Sequence, residues 1–451
     1  MSAHDHLAAA LESVVGAEWL LTDTATADYA IDGVSPTLVA VPADEVQIAA
    51  VLQQADAHRM TVFPHGGGSH MALGNCPASV DVVLSLRRLQ SQLAYEPGDM
   101  TTTVQAGMRL ADLQHTLRPN GQFLALDPSA AATTTVGGIV AANLSGPRRL
   151  LYGSARDLLL GIAVIGMNGK RTQAGGRVVK NVTGYDLNKL YIGSLGTLAV
   201  IVELTWKVHP LPPGEHTIAV RVTHHEDLLP ILQRLLQMPL RLNSLVLLNA
   251  ATVQELAALL DLAITDAAYV FILRVEGSSQ VTSHQAQRLS ESLQHLPLCG
   301  AATPQTCDEA TSEQLWRGIE ELPLSLAASE PGCVVSKISL RISEVPDFFH
   351  DMQTAASANG ASWPVFAHAG NGIAYVRLTS NGEPMLNQIR TLDASVTRLH
   401  GRRVIEYAPV AVKRQCDVWD TPGDDFALMR AIKTSFDPHN RLNPGRFIGR
   451  L

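Results

Sequence analysis

Three glycine-dense segments constrain this chain most, because each lies next to a stretch that reads as a strand. The first is PHGGGSH at residues 64–70, the second covers 133–161 and the third 175–201. Glycine lets the backbone approach a ligand closely and point successive N–H groups at one anion, which is usually a phosphate. A single glycine run could equally be a tight turn. Three such segments favour one extended ligand that passes through a domain.

Two common phosphate-binding patterns are absent. The P-loop pattern G-x-x-x-x-G-K-[ST] does not occur in the sequence. A dinucleotide-binding Rossmann pattern fails as well, since Gly66 is not followed by a long helix and an acidic residue at the required distance. The glycine segments therefore predict an extended phosphate-bearing ligand outside these two folds.

Composition excludes several classes of partner. A formal net charge of −8 over 451 residues argues against nucleic acid or an anionic membrane as the main partner. The start has no basic leader, and the longest apolar run, Leu158–Met167, is too short to span a bilayer. Five cysteines without a C-x-x-C pair give no zinc or iron–sulfur signature. We expect a cytoplasmic protein without a transmembrane segment.

The pattern predicts two domains and a returning tail. Residues 1–212 combine predicted strands with helices such as Asp44–Arg59, and the proline-rich HPLPPGE stretch then marks a boundary. Residues 213–412 contain a β-α-β-β-α-β order from VVSKISLRI to RRVIEYA, which predicts a ferredoxin-like antiparallel sheet with helices on one face. Residues 217–294 show a looser version of that order. The tail, 413–451, is expected to return to the first domain.

Five segments in the same order carry a resemblance to a known family. They are PHGGGSHMALGN, AGMRLADLQHTLRPNGQFLALDP, TVGGIVAANLSGPRRLLYGSARDLLLG, VVKNVTGYDLNKLYIGSLGTLAVI and DPHNRLNPGRF. The chain resembles the FAD-linked oxidases of the vanillyl-alcohol oxidase (p-cresol methylhydroxylase, PCMH) superfamily, and within it the smaller flavin-domain subunit of bacterial glycolate oxidase. The resemblance implies an α+β fold, with a PCMH-type FAD-binding domain of two α+β subdomains and an antiparallel-sheet, ferredoxin-like cap domain. It also implies non-covalent FAD as the cofactor.

The resemblance assigns the glycine segments to the FAD. The first should wrap the pyrophosphate, the second should pass along the flavin, and the third should border the adenine and ribose. The positions implied are Pro64, His65, Gly66, Gly67, Gly68, Ser69, His70, Pro128, Thr135, Gly137, Gly138, Asn143, Ser145, Gly196, Thr197 and Ile201. Some members of the superfamily link FAD covalently through a histidine or cysteine, so His65, His70 and Cys76 keep that alternative open.

The substrate site implied by the resemblance is degenerate. Relatives that oxidise D-2-hydroxy acids hold a metal with an H-x-G-D-G-N-x-H stretch and a later Glu-His pair, whose histidine can act as base. Here the stretch is HAGNGIAY, from His368 to Tyr375, and the pair is Glu406 and Tyr407. Two imidazoles have become phenols, which are poor metal ligands and weak bases because their ordinary pKa is about 10. The four residues are the candidate catalytic positions, and no metal site is predicted.

The expected grip on a substrate carboxylate is also changed. Relatives carry an arginine three residues after a tryptophan, where this chain has Ile319. Arg317, Lys337 and Arg341 lie close by in sequence and could replace that arginine, or they could be ordinary solvated surface charges.

Two functions remain open at this point. In the favoured one, the chain is a structural or electron-relaying flavoprotein subunit that pairs with a larger, catalytic FAD-linked paralogue and an iron–sulfur subunit. It would be cytoplasmic, or peripheral to the inner membrane through those partners. In the alternative, it is a self-sufficient FAD-dependent dehydrogenase of a small 2-hydroxy acid with a metal-free site.

Overall fold

The structure is a computed structural model that describes residues 3–177, 184–256, 268–300, 302–330, 332–380 and 382–451. Residues 178–183 of the third glycine-dense segment lie outside the described residues. None of the helices in the described ranges is both long and apolar enough to cross a membrane.

A four-stranded sheet lies near the N-terminus and carries the first glycine loop. Its strand order is β1-β2-β4-β3, with β2 and β3 both parallel to β4. Its elements are α1 (Ala3–Val15), β1 (Leu20–Leu21), β2 (Leu38–Ala40), α2 (Glu45–Ala57), β3 (Val62–His65) and β4 (Val82–Ser85). Helix α2 begins as predicted, because the Asp44 side chain accepts a hydrogen bond from the Gln47 N–H at 2.8 Å.

A five-stranded antiparallel sheet with strand order β5-β6-β10-β8-β9 follows. A short β7–β11 pair lies beside it. The strands are β5 (Gln92–Glu96), β6 (Thr101–Gln105), β7 (Gln122–Phe123), β8 (Leu159–Ile165), β9 (Arg171–Gly175), β10 (Val200–Lys207) and β11 (His209–Pro210). The helices are α3 (Leu110–Leu117), α4 (Val136–Ala142), α5 (Arg149–Tyr152), α6 (Ala155–Leu158) and α7 (Asn188–Tyr191).

The second half of the chain forms one antiparallel sheet of eight strands, in the order β15-β12-β14-β13-β17-β18-β16-β19. The strands are β12 (Glu215–Val222), β13 (Leu242–Asn249), β14 (Tyr269–Glu276), β15 (Thr303–Thr306), β16 (Val334–Ser339), β17 (Val365–His368), β18 (Ile373–Leu378) and β19 (Arg402–Tyr407). The helices are α8 (Leu228–Gln237), α9 (Ala250–Leu256), α10 (Ser279–Gln294), α11 (Glu309–Ser329), α12 (Val345–Ala358) and α13 (Met385–Arg398).

This sheet contains the β-α-β-β-α-β order twice, and the two copies meet where β13 pairs with β17. Helices α8, α10, α12 and α13 pack on one face. The helices of the predicted unit, α12 and α13, lie on one face as expected, while α9 and α11 cover the other face of the complete sheet. Helix α11 buries Leu315, Trp316 and Ile319 there, so strands such as β14 are apolar on both sides.

The tail runs back along the first domain. It contains α14 (Val410–Lys413) and α15 (Phe426–Phe436). The Val62 N–H donates to the Arg441 carbonyl at 2.8 Å, and the Asn443 N–H donates to the Val62 carbonyl at 2.9 Å. These bonds add the tail to the edge of β3, directly before the first glycine loop.

Candidate active site

Two neighbouring cavities lie where the glycine segments meet the eight-stranded sheet. The first is lined mainly by small and apolar residues, as small-molecule sites usually are. Its walls come from the first glycine loop, the start of α4, the loop before β10 and the tail. The lining residues are 64–71, Leu73, Leu86, Ala106, Thr134, Thr135, Gly137, Gly138, Ala141, Ala142, Leu144, Leu195, Gly196, Ala199, Ile201, Asn443 and Arg446.

The glycines of this cavity are needed first for packing between loops. A Cβ placed on Gly67 would overlap the carbonyl oxygen of Thr133, and one placed on Gly66 would overlap the Thr135 hydroxyl. At Gly137 a Cβ would come within 2.8 Å of the Ala106 Cβ. The first two glycine segments therefore lie directly on one another, and no side chain fits between them.

Several backbone donors in the first loop have no partner of their own. Among the described residues, the N–H groups of residues 67–70 donate no hydrogen bond, whereas the Met71 N–H already donates to the Gly68 carbonyl at 3.4 Å. Gly68 has a positive φ of 79°, which turns this run of amides. A run of free amides in a glycine loop is a ready site for a phosphate group.

Buried cations from the tail fix the carbonyl groups that follow this loop. The Arg446 guanidinium donates to the carbonyls of Met71, Leu73 and Asn75 and pairs with Asp32 at 2.8 Å. The ammonium of Lys413, which is fully buried, also pairs with Asp32, at 2.7 Å. The first loop is thus held to the last residues of the chain.

The second cavity is smaller and shares His70 and Leu144 with the first. It lies between three loops of the first domain (at residues 70, 128–129 and 144–147), helix α11 and the central strands of the eight-stranded sheet. Its lining is His70, Pro128, Ser129, Leu144, Ser145, Gly146, Pro147, Ile319, Glu320, Pro323, Lys337, His368, Tyr375 and Glu406. A small ligand in this cavity would border whatever occupies the first one.

An ammonium group dominates the electrostatics of the second cavity. Lys337, on β16, is only 19% exposed, and its Nζ lies 3.5 Å from a carboxylate oxygen of Glu406 on β19. Burial alone would lower the pKa of Lys337, but Tyr375 and Glu406 outweigh it and raise the pKa. Lys337 therefore stays charged, and it is the only lysine or arginine in the described wall of this cavity.

Two further candidate catalytic residues, His368 and Tyr375, are electrically neutral. Burial lowers the pKa of His368 to about 3, helped by the charges of Arg149 and Lys337, and its Nδ1 is buried without a hydrogen bond. Burial raises the pKa of Tyr375 to about 12, so its phenol keeps its proton. Neither group can serve as an effective anionic or basic centre near neutral pH.

Helix α11 closes the second cavity by packing against the loop at residues 127–130. The Ser129 hydroxyl donates to the Glu320 carbonyl at 2.8 Å, and the Ala130 N–H donates to the Glu321 carboxylate at 2.8 Å. The Glu320 carboxylate lies 3.6 Å from Arg274, near Asp127. Burial, reinforced by the charge of Asp127, raises the pKa of Glu320 to about 7.

Two family models match the chain. One, described as FAD binding domain, matches residues 36–175, and the other, described as FAD linked oxidases, C-terminal domain, matches residues 211–404 and 419–447. The chain belongs to the FAD-linked oxidases. The resemblance stated from the sequence is confirmed at this level, and the chain is an FAD-dependent oxidoreductase.

Curated relatives of this FAD-linked oxidase align over nearly its whole length. "Glycolate oxidase subunit GlcD" of Bacillus subtilis is 25% identical over 422 residues, covering 92% of this chain and 89% of the relative. "D-2-hydroxyglutarate dehydrogenase" of Xanthomonas citri pv. viticola is 28% identical over 426 residues, covering 91% and 89%. Among solved structures, p-cresol methylhydroxylase with substrate bound has a TM-score of 0.77 at 16% identity, covering 98% of this chain and 96% of that one. The predicted α+β, PCMH-type fold is confirmed.

The first cavity of this FAD-linked oxidase fits FAD. Its free amides at residues 67–70 suit the pyrophosphate, and its apolar walls around Ala141, Leu144 and Ile201 suit flat rings.

The second cavity does not fit the divalent metal that relatives' motifs imply. Lys337 already pairs with Glu406, and the Tyr375 phenol keeps its proton, so of the motif positions that line this cavity His368 alone remains an ordinary ligand. Within the described residues, no group of three or more His, Cys, Asp or Glu side chains is placed to hold a metal ion. A catalytic metal site normally uses three protein ligands.

The structure brings together most of the positions named from the sequence. Those in the first cavity are Pro64, His65, Gly66, Gly67, Gly68, Ser69, His70, Thr135, Gly137, Gly138, Gly196 and Ile201. Pro128 and Ser145 line the second cavity, with His368, Tyr375 and Glu406. Asn143, Thr197 and Tyr407 line neither cavity. Tyr407 packs instead against the core under α11.

Several lining residues were missed by sequence reasoning. Arg446 and Asn443 lie in the DPHNRLNPGRF segment, but the sequence gives no sign that the tail reaches this cavity. Lys337 was open to interpretation as a surface charge, although a lone lysine in the otherwise buried VVSKIS strand is a usable signal. Glu320 carries no such signal, because charged residues are common along α11.

Proposed function

We propose that this chain oxidises a small 2-hydroxy acid on its own FAD, without a divalent metal ion. The observation that carries the proposal is the second cavity, which adjoins the FAD cavity at His70 and Leu144 and presents the buried Lys337 ammonium. The curated names of its relatives suggest the substrate class. The proposed function is therefore the self-sufficient dehydrogenase, which was the less favoured of the two functions predicted from the sequence.

The residues of the cavity can perform the binding part of such a reaction. FAD, when bound, accepts the hydride from the substrate C2. The Lys337 ammonium would hold the substrate carboxylate, since opposite charges about 4 Å apart attract by roughly 4 kcal/mol at an effective dielectric constant of 20. The neutral Tyr375 and His368 can form hydrogen bonds to the substrate without adding charge.

The decisive experiment is anaerobic stopped-flow mixing of the purified holoprotein with glycolate, D-lactate or D-2-hydroxyglutarate. Bleaching of the flavin absorbance is expected with at least one acid. It should survive chelator treatment, with elemental analysis of the same sample showing less than stoichiometric divalent metal. Absence of bleaching with all three acids would overturn the proposal.

Membership in a complex is the second candidate, and one observation favours it. The relative from Bacillus subtilis is named as a subunit, and the loss of the base histidine at Tyr407 is what a supporting subunit would tolerate. In that case the chain would relay electrons between a larger FAD-linked paralogue and an iron–sulfur subunit, in the cytoplasm or at the inner membrane through those partners. Very slow bleaching alone, restored by co-purified partners, would favour this candidate.

A further inference from the structure

The proposed reaction needs a group that accepts the hydroxyl proton, and the expected one is missing. Tyr407 lies outside the cavity, Tyr375 keeps its proton, and His368 is too weak a base at a pKa of about 3. Glu320 is paired with Arg274 at 3.6 Å. The remaining basic side chain is His70, in the wall that the two cavities share.

A chain of hydrogen bonds fixes which ring nitrogen of His70 carries the proton. The Thr134 hydroxyl donates its single hydrogen to the Ser129 carbonyl at 3.2 Å. The Ser69 hydroxyl lies 2.8 Å from the Thr134 oxygen, and with the Thr134 hydrogen on the Ser129 carbonyl, Ser69 is the donor in that pair. The Ser69 oxygen can then only accept from His70 Nδ1, which lies 2.9 Å away.

This direction of donation leaves the lone pair on Nε2 of His70. In a neutral imidazole one nitrogen donates and the other accepts, and here Nδ1 is the donor. Nε2 forms no hydrogen bond to any described residue. A histidine that is oriented through one nitrogen and lies in the wall shared by the two cavities, with no hydrogen bond on the other nitrogen, can act as a general base.

The charges around His70 allow it to be neutral when the substrate binds. Burial lowers its pKa, the Glu406 carboxylate opposes that shift, and the Lys337 ammonium adds to it. The other titratable groups in the wall of the second cavity are Glu320, His368 and Tyr375. His70 is therefore a neutral imidazole at pH 7, beside the ammonium that would hold the substrate carboxylate.

We propose that His70 is the general base of this chain, with Ser69 as its positioning residue. The inference rests on the proposed function. The substrate O–H bond breaks and its proton passes to Nε2. Bound FAD would accept the hydride, with its electron pair, as the C2–H bond breaks. The C2–O bond becomes a carbonyl, the 2-oxo acid leaves, and His70 returns the proton to solvent. FAD is the only oxidant required.

The first test compares wild type, H70Q and the exposed control H115Q, each with its FAD content measured by absorbance. Removing a general base costs roughly 10²- to 10⁴-fold in rate, so H70Q should bleach at least 100-fold more slowly with FAD still bound. Because the pKa of His70 is lowered mainly by burial, the wild-type rate should fall as pH drops below the ordinary pKa of histidine, and H70Q should lose that dependence. H115Q should match wild type. Unchanged bleaching in FAD-replete H70Q would overturn the inference and leave the proposed function standing.

The second test does not depend on turnover. In ¹⁵N-histidine-labelled holoprotein, the signals lost in H70Q identify His70, and their shifts should report a proton on Nδ1. S69A should move the proton toward Nε2 and slow bleaching at least tenfold. A proton on Nε2 in wild type would overturn the inference. This result would hold even if H70Q loses its FAD, because it is measured on the wild-type protein. If the flavin of the wild-type protein is never bleached, both the proposed function and the base role of His70 are contradicted.

Discussion

The two cavities differ in how their walls are assembled. The FAD cavity is built mainly from short segments in which backbone conformation does the work, such as the loop after β3 and the start of α4. The second cavity is built from single side chains on distant elements, with Lys337, His368 and Glu406 on three different strands. A site built from backbone atoms tolerates few substitutions in the segments that form it, whereas a site built from side chains can change its chemistry one residue at a time.

This difference accounts for the contrast in chemistry between the two cavities. The glycines of the first cannot be replaced without separating two loops, because a Cβ on Gly67 has no room beside Thr133. In the second, the tyrosine at position 375 leaves its strand intact, since Phe366 stacks on the Tyr375 ring with 4.6 Å between the ring centroids. Cofactor binding and substrate chemistry can therefore diverge separately in this fold.

The largest expected effect is the loss of FAD from Gly67→Ala. The added methyl group would overlap the Thr133 carbonyl, so the first loop must move and its free amides with it. We expect protein purified without bound flavin that cannot be reconstituted with added FAD, measured by absorbance and fluorescence titration. Gly98→Ala is the matched control, because a Cβ there meets nothing within 4 Å. Stoichiometric FAD in G67A would show that the loop contact is dispensable.

Lys337→Met should leave FAD bound and remove the charge that binds the substrate carboxylate. Loss of roughly 4 kcal/mol of charge attraction corresponds to about a 10³-fold fall in the second-order rate constant of flavin reduction. Stopped-flow bleaching at several substrate concentrations measures it, with the exposed Lys170→Met as control. A rate within threefold of wild type would mean that another group binds the carboxylate.

Arg446→Gln tests whether the tail supports the FAD cavity. The change leaves Asp32 with one fewer buried cation and removes donors from the Met71 and Leu73 carbonyls. Breaking a buried pair in this way costs about 3–5 kcal/mol. We expect a melting temperature lower by several degrees and FAD affinity reduced at least tenfold, by calorimetry and fluorescence titration. If only the melting temperature falls, the tail stabilises the domain without shaping the cavity.

The sequence predicted the backbone-built cavity far better than the other. Glycine spacing and the Asp44 cap are local signals, so the glycine loops and α2 could be placed without tertiary contacts. The second cavity depends on β16, β17 and β19 becoming neighbours and on α11 crossing to the opposite face, which no local pattern encodes. The resemblance implies a base at the position after Glu406, whereas His70 reaches the cavity from the other domain.

The smallest expected effect is a change in how stability depends on pH in Glu320→Gln. In the folded protein burial, with Asp127 nearby, raises the pKa of Glu320 to about 7, while an unfolded glutamate titrates near 4.3. Between these values the folded state binds more protons than the unfolded state, so this carboxyl group makes the free energy of unfolding fall as pH rises. E320Q cannot titrate and should show a flatter profile from pH 5 to 7.5 in chemical denaturation. The exposed Glu12→Gln should retain the wild-type slope, and an equal slope in E320Q would mean that the carboxyl group of Glu320 is already ionised at pH 5 beside Arg274.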